Sequence, residues 1–212
     1  MEEDRARAMA VRLRRTALHA GLTDADVDRL VHCYEWVVEP RSRAFGNPRH
    51  PDLLHPGRTA LILLEDVALT DADAIAAGIL YDARWPGLSP SDEQAAALAG
   101  ARAAVLRTQF PGREADPLEI REALVTADPA ACLAALAEQL DHARHLHLAP
   151  PGVWRAVFER TLAFQPVALR AHPQMAQRYA RWTGMFERRY LTKLVQTRVE
   201  SGGGDGSQEG GS

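Results

Sequence analysis

The sequence is almost free of lysine. Lys193 is the one lysine among 25 basic side chains, and the rest are arginine. Alanine, at 37 residues, is abundant. This bias resembles that of a GC-rich coding sequence, so arginine abundance alone is no sign of phosphate binding. Cysteine is scarce as well. Cys33 and Cys132 are too few for a disulfide framework, and each lies in an apolar helical context that suits a buried, reduced thiol. No run reaches the 18 or so apolar residues that a membrane span needs. The opening stretch, Met1 to Arg15, is charged and lacks the apolar centre of a signal peptide, so the expected compartment is the cytoplasm. Strand-like alternation is missing too.

What remains is ordinary for a folded protein. The 212 residues are 46% hydrophobic and 25% charged, with a net charge of −3. These values exclude a disordered or collagen-like chain. The length suits one domain, which can bury a core without a disulfide staple. We expect an all-α, single-domain helical bundle over 1–200 and a flexible Gly/Ser-rich tail over 201–212. The charge is uneven: residues 155–198 hold nine basic groups against Glu159 and Glu187. Such asymmetry fits either a solvated helix face or a site for an acidic partner.

Apolar spacing and cap residues predict eight or nine helices. They run over 3–20, 23–38, 58–68, 71–84, 90–109, 117–127, 129–148, 151–170 and 173–199. Pro40 is expected to end the second. The connector 40–57 then carries four prolines and two glycines. Connectors of that length inside a compact domain are often functional.

Histidine is the informative residue type. There are eight, and three of them crowd Asp141-His142-Ala143-Arg144-His145-Leu146-His147. Asp141, Arg144 and His145 share one helix face, whereas His142 is expected to point elsewhere. A second cluster spans His50 to Arg58. A third feature is Asp82, which follows the apolar stretch Ala76-Ala77-Gly78-Ile79-Leu80. Its carboxylate should be partly buried and so needs a cation or several donors. Asp71 and Asp73 read as exposed helix caps.

In this order the motifs resemble the HD superfamily of metal-dependent phosphohydrolases. The likeness is greatest to the hydrolase domain of the RelA/SpoT proteins, which handle guanosine polyphosphates such as (p)ppGpp. It covers about residues 40–170. Gly46-Asn47-Pro48 leading to His55-Pro56 is similar to the family's Gly-Glu-Pro leading to His-Pro. Ala76-Ala77-Gly78-Ile79-Leu80-Tyr81-Asp82 looks like Ala-Ala-Leu-Leu-His-Asp. Gln139-Leu140-Asp141 and Arg160-Thr161-Leu162 resemble two later family motifs.

The resemblance implies a divalent metal, Mn2+ foremost, held by His55, Asp82 and Asp141. The family's fourth ligand is a histidine, and here that position is Tyr81. A phenol with a pKa near 10 is a poor ligand at neutral pH. His50, His145 or His147 could replace it. The family's acid–base pair falls on Trp85 and Pro86, which move no protons. Arg41, Arg43, Arg58 and Arg144 would meet phosphate. The expected function is therefore an HD-type protein with weak or lost hydrolysis that keeps a nucleotide-binding or regulatory role.

Two alternatives stand beside it. One is an active phosphohydrolase with an altered ligand set. The other is an interaction module built on Arg178, Arg181, Arg188, Arg189 and Lys193 with Tyr179, Trp182 and Tyr190. The acidic net charge argues against a dedicated nucleic-acid binder. Oligomeric state is not legible.

Overall fold

A computed structural model of the chain describes residues 2–192. The expected tail and the end of the last predicted helix lie outside the described residues, as does Lys193. Among the described residues the chain is an all-α domain of ten helices without a strand. They are α1 (Glu2–His19), α2 (Asp24–Phe45), α3 (His55–Leu61), α4 (Ala72–Leu80) and α5 (Asp92–Ala99), then α6 (Ala101–Arg107), α7 (Pro117–Thr126), α8 (Pro129–Arg144), α9 (Trp154–Ala171) and α10 (Pro173–Phe186). None is long and apolar enough to cross a membrane.

Local chemistry accounts for most boundaries. Thr23, Asp71, Ser91, Asp116 and Asp128 each cap a helix by accepting backbone N–H bonds. Asp71 and Asp73 are half-buried rather than exposed, because Arg102 pairs with both and Arg29 with Asp73. The predicted helix over 90–109 is two helices. Gly100 adopts φ +96°, which no helix tolerates, and so ends α5 and starts α6. That break supplies the tenth helix.

Pro40 does not end α2, which runs five residues further, to Phe45. A proline costs a helix one hydrogen bond and a clash. Here the next residue offsets it. Arg41 is buried against the protein and donates to Val37 O at 3.0 Å and Leu88 O at 3.1 Å. The connector accordingly shrinks to 46–54. After α3 the chain widens into a π-helical turn, Ile62–Asp66, and a second such turn, Glu187–Leu191, follows α10.

The centre of the domain is α8, which packs against α3, α4, α9 and α10. Residues 134–143 of α8 are all buried. A helix covered on nearly every side must place its polar residues inside as well as its apolar ones. Its partner α4 is also buried along its length. Small residues permit this close contact: a Cβ on Gly78 would lie 3.3 Å from Thr59 Cγ2 and 3.7 Å from Ala134 Cβ. Cys33 and Cys132 are free and buried, as expected.

Gly57, in the first turn of α3, has no room for a side chain. A Cβ there would fall 2.5 Å from Met9 Cγ and 2.9 Å from the ring of buried Tyr34. Met9 can move aside; Tyr34 cannot without shifting α2. Gly57→Ala is therefore expected to destabilise the fold by about 1–3 kcal/mol, seen as a lower urea midpoint with an unchanged slope.

Candidate metal centre

Three chain segments deliver four side chains to one buried point. The connector ends at His55, the first residue of α3, and Pro56 follows it in the first turn, where a missing N–H costs nothing. Asp82 lies just past the end of α4, where Tyr81 turns the chain extended. Glu138 and His142 stand one turn apart on α8 and face the same way. One ligand-type atom from each of His55, Asp82, Glu138 and His142 lies within 4.8 Å of the others. All four residues are buried.

The geometry suits a cation. Metal–nitrogen and metal–oxygen bonds of about 2.0–2.2 Å place donors on opposite sides of an ion about 4 Å apart. His55 Nε2 and Glu138 Oε1 are 4.0 Å apart. His142 Nε2 is 3.1 Å from Asp82 Oδ1 and 3.2 Å from Glu138 Oε1. The two imidazole rings stack at 3.9 Å with their planes 15° apart.

The decisive atom is His55 Nε2. It is buried and has no hydrogen-bond partner. Its other nitrogen, Nδ1, lies 2.9 Å from Asp141 Oδ2. A carboxylate there holds the proton on Nδ1 and leaves the lone pair of Nε2 directed at the cluster. Metal-bound histidines are oriented in this way. His142 has a comparable arrangement, with Asp52 Oδ1 3.7 Å from its Nδ1. That separation is an electrostatic contact rather than a hydrogen bond.

A second layer holds the carboxylates. Arg58 grips Asp141 with two bonds, each 2.8 Å. Arg41 Nη2 donates to Asp82 Oδ2 at 2.8 Å. Asp82 Oδ1 also accepts from the backbone N–H groups of Arg84 and Trp85, both at 2.9 Å, and so caps the turn that follows. Trp85 Nε1 donates to Asp52 at 2.8 Å.

Titration follows these contacts. Burial alone would raise the pKa of Asp82. The hydrogen bond from His142 and the positive charges of His142 and Arg41 outweigh it, and the carboxyl stays well below its usual range. Asp141 behaves alike, with His55 and Arg58 opposing its burial, and so does Asp52, with His142, Trp85 and Arg84. Burial disfavours a charged His142, but Glu138, Asp52 and Asp82 override that and raise its pKa well above the ordinary value.

The sequence-based candidates separate clearly. His55 and Asp82 enter the cluster; Asp141 stands behind His55. None of the three proposed substitutes for the missing histidine enters it. His50 stacks on Phe45 at 3.9 Å, His145 Nδ1 binds Asp141 O at 2.8 Å, and His147 Nδ1 lies 3.1 Å from Arg144 O. The incoming imidazole is His142, expected to point away. It turns inward because α8 is buried on most of its surface, so adjacent Asp141 and His142 are both inside. The readable signal was Glu138-x-x-x-His142, an acid and a histidine at i, i+4.

Tyr81 is turned away from the cluster. Its hydroxyl donates to Pro111 O at 2.9 Å, and its ring meets Phe110 edge-on. Pro86 only opens a short 3-10 turn, Pro86–Leu88. Of the four arginines, Arg41 and Arg58 hold ligand-layer carboxylates. Arg43 is exposed near Glu39, and Arg144 lies 3.5 Å from Asp66. Of the three rings in the interaction-module alternative, Tyr179 and Trp182 are buried in the core and Tyr190 is half-buried. Tyr179 and Trp182 therefore present no open face for a stacked base.

Comparison of the chain with protein-family models, with curated proteins and with solved structures finds no match to any of them.

Proposed function

We propose that this chain is an HD-like, divalent-metal-dependent phosphohydrolase with an altered ligand set. His55, Asp82, Glu138 and His142 would hold the ion. The observation that carries this reading is His55 Nε2, a buried donor atom without a partner, in a residue whose ligand atom lies within 4.8 Å of those of two carboxylates and a second imidazole. Two nitrogens and two oxygens form a mixed set that suits Mn, Fe or Zn better than Mg or Ca. Once bound, such an ion supplies Lewis acidity towards water and a phosphoryl oxygen. The chain's own part is to fix the donors. Asp141 and Asp52 orient the imidazoles, while Arg41 and Arg58 hold Asp82 and Asp141 ionised.

A second reading has its own support. His142 Nε2 already sits within hydrogen-bond reach of Asp82 and Glu138. A protonated His142 would neutralise the cluster without any metal. The protein would then be a degenerate relative, with the hydrolytic centre lost.

Metal analysis of protein purified without a His-tag or chelator separates the two. About one Mn, Fe or Zn per chain, with hydrolysis of a phosphate ester lost in His55→Gln, is the expected result. A chain that stays metal-free after incubation with Mn2+ leaves the second reading standing.

A further inference from the structure

A cavity of about 290 Å³ opens beside His142. Its basic lining is Arg84, Arg113 and Arg160 beside His142, with no aspartate or glutamate among the described residues that line it. That is a marked local excess in a chain of net charge −3. The most telling of the three is Arg160. It is half-buried, and its partners are the carbonyl oxygens of Gly112 and Ala115. Among the described residues no carboxylate forms an ion pair with it. Carbonyl oxygens position a guanidinium but leave its charge unneutralised. Arg84 and Arg113 have only loose partners, Asp52 and Glu114, each at 3.5 Å. Both can turn to an anion in the cavity.

The rest of the lining is mostly apolar, with Gln139 and His142 as its other polar side chains. Leu146, Val153 and Val157 form the apolar part, and they offer no hydrogen bond to a sugar or base. The space is small: at ~30 Å³ per water it holds roughly ten, the low end for a ligand site. Arg107 is different, since it is spent on Pro90 O and on Asp92. The cavity at Arg58 and Arg144 is likewise closed by carboxylates. Glu65, Asp66 and Asp141 match its arginines.

We infer that the cavity beside His142 binds a small phosphate monoester, its phosphate on Arg84, Arg113 and Arg160 and a short apolar body on Val153, Val157 and Leu146. This deepens the hydrolase reading, on which it rests only for the fate of the phosphate after binding. Nucleotides are a poorer match, because base, ribose and phosphate together need the whole of the space, and Gln139 is the one uncharged polar side chain on its lining besides His142.

The test is calorimetric titration of the full chain in EDTA with inorganic phosphate, phenyl phosphate and guanosine diphosphate. Phenyl phosphate is expected to bind about tenfold more tightly than phosphate, from its buried ring. Guanosine diphosphate is expected to bind no better than phosphate. Arg113→Gln, at an exposed position, should weaken phosphate and phenyl phosphate alike by about tenfold, the worth of one charge-assisted hydrogen bond. Val153→Trp fills the cavity and leaves every charge in place. It should abolish the preference for phenyl phosphate. Equal affinity for phosphate and phenyl phosphate, or an unchanged preference in Val153→Trp, would overturn the inference. Tighter binding of guanosine diphosphate than of phenyl phosphate would do the same. Binding as expected in a chain that takes up no metal would support the cavity and refute the hydrolase reading instead.

Discussion

Arg41→Met is expected to cost about 3–5 kcal/mol of folding stability, the largest effect of any single change considered. Arg41 and Asp82 are both essentially inaccessible to water, and 2.8 Å separates their charged atoms. Removing the guanidinium leaves Asp82 charged in a site that water cannot reach. It also strips the carbonyl oxygens of Val37 and Leu88 of a donor. The double variant Arg41→Met/Asp82→Asn should be more stable than the sum of the single losses, since asparagine keeps an acceptor for the backbone N–H groups of Arg84 and Trp85 without the charge. Urea unfolding of the three variants measures this cycle. Strict additivity would mean that the pair is not coupled.

The second large effect concerns His142 and the cation. Around the centre, Asp52, Asp82, Glu138 and Asp141 bring four negative charges, and Arg41, Arg58 and Arg84 bring three positive ones. One more positive charge completes the balance. Without metal it is a proton on His142, whose pKa is raised. A metal must displace that proton to use Nε2. The apparent association constant should therefore rise about tenfold per pH unit through neutrality, with about one proton released per ion. Calorimetry in buffers of different ionisation enthalpy counts that proton. His142→Gln should abolish the proton release and lower affinity beyond the 10–100-fold typical of losing an outer partner such as Asp141. A flat pH profile in the wild type would show that His142 is not displaced.

The same groups set the pH limits of the metal-free protein. His142 is charged more easily folded than unfolded. Its contribution is complete below the unfolded value of about 6.5 and is lost as pH rises through its higher folded value. Asp52, Asp82 and Asp141 are depressed instead. Their contribution is present above the unfolded carboxylate value of about 4 and is lost as pH falls through their low folded values. Bound metal should remove the alkaline loss, because His142 is then neutral at every pH in that range.

The sequence by itself determined the helical class, most helix starts, the two reduced thiols and two members of the cluster. Each of these rests on near neighbours in the chain. Capping needs a side chain two or three residues from an N–H. Asp82 was legible because an acid after an apolar helix must be buried with partners, whereas His55 was singled out only through the resemblance of His55-Pro56 to the His-Pro motif of the HD superfamily. Tertiary structure alone decided the rest. Whether Pro40 ends α2 depends on Arg41 finding Asp82 and Leu88, more than forty residues away. Whether Asp141 or His142 faces the centre could not be read from one helical period, because α8 is enclosed by four other helices and buries both. The second imidazole of the cluster comes from His142 for the same reason: such clusters are closed by packing between segments, and sequence order does not record which faces meet.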